Sequence, residues 1–289
     1  MHDAFIEPLG FAFMQRAFIA ASLAGVVCAV VGTYVVLKGL GFMGDAIAHS
    51  SLTGMGVAFL LGGNVLWGAL AWVVPASLGM TFLARRGRLL MDTSIGVIYA
   101  AGFALGIIIV SRVSGYTPDL FSFLFGNVLG ASWGDVAAIG GVAGAVLAVV
   151  FVLYKELLAT SYDADLAAAS GLPVRLIQYL LPLLIGVTTV AALTSVGIVL
   201  VLALLVTPAA TARLLARRVP GIMAVAVAVA LASVVGGLYL SFHLDLPSGP
   251  TIVLFATGLF GVALAASSVQ DVLGRRRGLS PAAAPSTEV

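Results

Sequence analysis

Charged side chains are scarce in this chain. Asp, Glu, Lys and Arg make up 9% of its 289 residues, against roughly 25% in an ordinary soluble protein. Fourteen Lys and Arg with twelve Asp and Glu cannot cover a water-facing globule of this length. A soluble enzyme, a disordered chain and a nucleic-acid binder are therefore excluded. Cysteine is nearly absent. The single Cys28 lies inside the first apolar run, so there is neither a disulfide framework nor a thiolate metal cluster. No GxxxxGK[ST] phosphate loop occurs, and Gly62-Gly63 and Gly140-Gly141 lack the lysine such a loop needs. They read instead as close-packing positions between helices. There is no HExxH, no catalytic triad and no pair of acid–base carboxylates. The start, Met1 to Glu7, has no basic stretch before the hydrophobic one, so no cleaved signal peptide is expected.

What the chain has is apolar length. Hydrophobic residues make up 61% of it, and the mean hydropathy is +1.17. The apolar runs approach the ~20 residues that carry a helix across a bilayer core, and they lack the alternation of a β-barrel. The expected fold is an all-α polytopic membrane protein of about nine transmembrane helices. They fall near 17–37, 42–61, 65–84, 93–110, 136–154, 176–192, 196–215, 222–240 and 251–267. The count becomes eight or ten if 111–134 or the shorter spans divide differently. Within that region 120–129 is too short to span and reads as re-entrant or interfacial. Residues 1–16 read as an interfacial helix, 17–268 as the transmembrane domain and 269–289 as a disordered cytoplasmic tail. Thr207-Pro208 predicts a kink.

With the N-terminus outside and nine spans, the C-terminus is cytoplasmic. Lys38, Arg85, Arg86, Arg88, Lys155, Arg175, Arg213, Arg217, Arg218 and Arg275 to Arg277 then face the cytoplasm. That is twelve of the fourteen basic residues, with Arg16 and Arg112 outside.

Only the second span carries a carboxylate or an imidazole inside its apolar run. Asp45 and His49 are four apart, on one helix face. Each charge in mid-bilayer costs ~2.5–3.5 kcal/mol on insertion scales and marks a functional site by default. Ser50 and Thr53 extend the polar surface as path-lining candidates. A carboxylate with an imidazole suits Zn²⁺, Mn²⁺ or Fe²⁺; it equally suits a structural hydrogen-bonded couple. His243 and Asp245 form a second cluster, read either as a docking point for an extracytoplasmic partner or as a solvated loop. Asp92 reads as a helix-start charge, and Asp119 and Asp135 as loop or cap residues. Residues 163–172 predict a short alanine-rich cytoplasmic helix, begun by Asp163 or Asp165 and stopped by Gly171-Leu172-Pro173. Its alanine face suits docking, though a plain connector fits the same pattern.

Three stretches together resemble a known family. They are Gly44-Asp45-Ala46-Ile47-Ala48-His49-Ser50, Leu124-Phe125-Gly126-Asn127-Val128-Leu129, and Leu205 to Ala212 with Ser248-Gly249-Pro250-Thr251. The chain resembles, over nearly all of 15–270, the membrane permease of metal-ion ATP-binding-cassette importers for manganese, zinc and iron. The resemblance implies a homodimer, or a pairing with a near-identical subunit, around one translocation path. It also implies two cytoplasmic ATP-binding subunits and an extracytoplasmic solute-binding protein, with no permanently bound cofactor and a divalent metal ion as cargo. It favours Asp45 and His49 as metal ligands. The family's coupling motif maps onto Asp165-Leu166-Ala167 and Gly171, with Asp163 and Ala168 beside it; Asp replaces the family's Glu, and Leu its first Ala. Other readings are a metal-chelate or cobalamin permease, a proton-coupled secondary transporter relaying through Asp45, and a membrane scaffold.

Overall fold

The computed structural model describes residues 10–112, 126 and 128–276. Among these the chain is helical throughout, with no strands. Twelve helices follow one another: α1 Ala12–Leu37, α2 Met43–Ser50, α3 Leu52–Leu60, α4 Val65–Arg86, α5 Met91–Val110, α6 Trp133–Val152, α7 Tyr154–Tyr162, α8 Ala164–Ala169, α9 Val174–Val196, α10 Ile198–Leu215, α11 Val219–Leu244 and α12 Ser248–Arg276. Eight of them (α1, α4, α5, α6, α9, α10, α11 and α12) are long and apolar enough to cross a membrane. The expected second span is present as two half-helices, α2 and α3. Ser51 separates them with helical torsions, φ −63° and ψ −17°.

The cause of that interruption is local. Ser50 and Ser51 donate their hydroxyls to the carbonyls of Ile47 and Ala48, at 3.1 and 2.6 Å. Such back-bonding competes with the main-chain ladder and bends helices.

Helix starts follow the capping chemistry of the sequence. The Asn64 side chain accepts from the Leu66 amide at 2.9 Å at the start of α4. Ser132 and Asp135 form a reciprocal capping box on α6. Asp135 is thus a cap residue, as expected, while Asp92 sits in the first turn of α5 with no capping hydrogen bond from Leu90.

Several boundaries differ from expectation. α1 is continuous from Ala12, so 12–16 continue the first span, and 1–9 lie outside the described residues. α12 continues to Arg276, so 269–276 belong to a helix rather than a tail, and 277–289 lie outside the described residues. The 120–129 reading falls mostly outside them too; Val128–Gly130 form a 3-10 turn. The segment after α6 carries an extra helix, α7, which turns the buried Leu157 and Thr160 inward.

The core is built by small residues. α1 packs on α6, α9, α10 and α11, burying Ala17, Ala20, Ala21, Ala24 and Cys28 completely. Gly32 of α1 lies so close to α10 that a Cβ there would overlap the Leu205 carbonyl. In lipid, where apolar burial drives little association, such backbone contacts hold helices together. Gly197 alone joins α9 to α10, at φ 86°. Gly126, from the second family stretch, stands against that joint, where a Cβ would overlap Val196.

Candidate functional site

Five residues separate α1 from α2, and the reversal runs through Gly39 at φ 69°. The half-helix then packs on α5, α9 and α10. Gly44 permits this, because a Cβ there would stand 2.7 Å from a Leu205 methyl and 3.4 Å from the Thr189 hydroxyl. Leu205 thus seats both α1, at Gly32, and α2, at Gly44.

Asp45 lies in the first turn of α2, where the helix dipole favours a carboxylate. His49 lies one turn on, and its Nδ1 is 3.2 Å from Asp45 Oδ1. The same nitrogen is 3.0 Å from the Asp45 carbonyl oxygen. Both neighbours accept hydrogen bonds, so in the neutral imidazole Nδ1 carries the hydrogen and the lone pair sits on Nε2. A carboxylate fixing an imidazole in this way is how metal-binding histidines are oriented. The ring is walled by two aromatics of α5, with Tyr99 and Phe103 each edge-on at 5.7 Å between centroids. The side chains of Asp45 and His49 remain 30% and 19% exposed, so the pair is accessible from one side. No other carboxylate lies this close to a basic side chain among the described residues.

The two path-lining candidates, Ser50 and Thr53, both pack on α5. Ser50 is fully buried against Gly102 of α5, and Thr53 donates its hydroxyl to the Gly102 carbonyl. Both therefore serve the contact between the broken span and α5 in this conformation. Sequence reasoning missed Tyr99 and Phe103, although their spacing of four on an apolar span was readable. It also missed Thr189, whose buried hydroxyl has no protein partner.

The remaining candidates lie elsewhere. Asp163 is the N-cap of α8, its Oδ1 accepting from the amides of Asp165 and Leu166 at 3.0 and 2.9 Å. Ala167 is buried, whereas Ala168 and Asp165 are exposed. Gly171 ends the element at φ 81°. The exposed apolar surface here belongs to Tyr162 and Leu166 more than to alanine. His243 sits in the last turn of α11 with Nδ1 2.9 Å from the Tyr239 carbonyl. Asp245 caps that helix in the left-handed region, at φ 54°.

Eight helices long and apolar enough to cross a bilayer define a multi-pass membrane protein. Residues 10–267 match the ABC 3 transport family, and the chain belongs to that family. It is 40% identical to the manganese transport system membrane protein MntC of Halalkalibacterium halodurans, over 94% of this chain and 93% of that one. It is 36% identical to the chelated iron transport system membrane protein YfeD of Yersinia pestis, over 93% and 91%. Among solved structures it resembles PsaBC from Streptococcus pneumoniae, determined in complex with Fab. The TM-score is 0.80 and the identity 36%, covering 91% of this chain and 95% of that one.

Proposed function

We propose that this protein is the permease subunit of an ATP-driven importer in the bacterial inner membrane. Its cargo is a divalent first-row transition-metal ion, of which manganese and iron are the ions named for its relatives. The observation that carries the reading is the Asp45–His49 pair. The carboxylate offsets part of the hydration the ion sheds, and it holds the imidazole so that Nε2 presents its lone pair. Two ligands from one chain hold an ion weakly enough to pass it on. No group of three or more His, Cys, Asp or Glu side chains gathers among the described residues. In a homodimer, a second copy presenting the same pair across a shared path would complete a four-ligand site.

ATP binding and hydrolysis belong to separate cytoplasmic subunits in this reading, since the chain carries no phosphate loop. α8, with its exposed Leu166 and the exposed Tyr162 of α7 beside it, is the surface those subunits engage. In this reading the N-terminus is outside and the C-terminus cytoplasmic, the orientation that the distribution of basic residues supports. His243 and Asp245 then face the extracytoplasmic binding protein that delivers the ion.

The test is metal accumulation in cells expressing the permease with its partner subunits. Asp45→Asn and His49→Gln should each abolish accumulation while membrane insertion and association with the ATP-binding subunit persist. Wild-type uptake by both variants would end the ligand assignment.

A further inference from the structure

A cavity of about 510 Å³ opens at the basic ends of the spans, between the C-terminal ends of α1 and α4, the start of α5, the end of α7 and the first turns of α9. Two cations line it, Lys38 and Arg85, and no carboxylate does. Lys38 forms no ion pair among the described residues, and burial pushes its ammonium pKa down. Arg85 donates to Gln178 Oε1 at 2.8 Å and keeps its other N–H groups for a ligand. The hydroxyls on the wall do not neutralise this charge. Thr81, Thr160 and Ser161 all donate back to carbonyls of their own helices.

The rest of the wall is apolar, formed by residues such as Leu40, Leu89 and Leu181. Its rim looks like a bilayer interface. Leu89 and Leu90 are 42% and 79% exposed between α4 and α5, and the exposed Arg88 sits beside them. The Arg86 guanidinium lies over the exposed Phe82 ring at 5.8 Å. Apolar side chains and aromatics interleaved with arginine belong at the headgroup level.

We propose that this cavity binds an anionic phospholipid, with its phosphate held by Lys38 and Arg85 and its upper acyl carbons against the leucines. A soluble anion would satisfy the cations but leave the apolar wall and rim unused. Thr160 and Ser161 belong to the helix that leads through Asp163 into α8. An occupied cavity therefore braces the segment that carries α8.

The test uses the purified full-length permease in nanodiscs of phosphatidylcholine with and without phosphatidylglycerol, followed by detergent extraction and native mass spectrometry. The wild type should retain phosphatidylglycerol through detergent exchange, and Lys38→Gln and Arg85→Gln should each lose it. Lys38→Arg, which keeps the charge, should retain it. Arg217→Gln, an exposed arginine between α10 and α11 and away from the cavity wall, should also retain it. Equal retention by wild type and both charge-removing variants overturns the proposal, as does equal retention of phosphatidylcholine. Displacement of the retained lipid by inorganic phosphate, but not by chloride, assigns the cations to a soluble anion and overturns the lipid reading.

Discussion

Ser50 of α2 and Gly102 of α5 touch with no room between them: a Cβ on Gly102 would stand 2.7 Å from the Ser50 Cβ. One turn further, Thr53 bonds the carbonyl of the same glycine. His49 follows from this contact, because it neighbours Ser50 while Tyr99 and Phe103 flank Gly102. The position of the imidazole is therefore set by how closely the broken span lies on α5. Gly102→Val should force the two apart. Overpacking of this kind costs about 1–3 kcal/mol, and metal accumulation should fall with it. Gly96→Ala, on the same helix with nothing within 4 Å of a new Cβ, should lower neither thermal stability nor uptake. Uptake by Gly102→Val equal to that of Gly96→Ala would disprove the dependence.

Gly32 makes a stricter case. Its neighbour is backbone, the Leu205 carbonyl, and backbone cannot rotate away as a side chain can. Leu205 also seats Gly44 of the site helix. Gly32→Ala should lower the thermal unfolding midpoint in detergent and weaken uptake together. Gly141→Ala, which meets nothing within 4 Å, should do neither.

At α8 the expected outcome depends on one carboxylate oxygen. Asp163 Oδ1 satisfies two orphan amides of a six-residue helix. Replacing such a cap by alanine costs about 0.5–2 kcal/mol, a large share of what so short a helix can hold. Asp163→Ala should speed hydrogen exchange at the Leu166 amide and uncouple transport from ATP hydrolysis. Asp163→Asn, which keeps an acceptor at that point, should restore both. Unchanged exchange in the alanine variant would remove the cap from the account.

These cases also show what the sequence made legible. Long apolar runs announced the eight uninterrupted spans, because length and hydropathy alone decide them. The Asp45–His49 pair was legible because four residues within one unbroken turn preserve a face. Thr53 was harder. Its spacing from His49 suggests the same face, but the helix is interrupted at Ser51, and its hydroxyl goes to Gly102. The two serines that cause the interruption were visible, yet their back-bonding depends on rotamers that spacing does not determine. α7 was hidden because its nine residues are too few for a periodic signal and too polar for a span. Its inward face is only Leu157 and Thr160.

Lys38 gives a prediction in pH. It follows the last residue of α1, outside the span, and burial lowers its pKa below 10.5. Between the lowered value and 10.5 the native chain binds fewer protons than the unfolded one, so stability must rise with pH across that window. At neutral pH the half-buried charge is a cost, and Lys38→Met removes it. In a neutral detergent the variant should therefore unfold at a higher temperature than the wild type. The gap should narrow as pH climbs through the lowered pKa and level off above 10.5. Titrations elsewhere in the chain cancel in this comparison, because both proteins share them. Phosphatidylglycerol should shrink the neutral-pH gap by supplying the missing counter-charge. A gap that stays constant with pH, or widens, would show that Lys38 is not held as a partly desolvated cation.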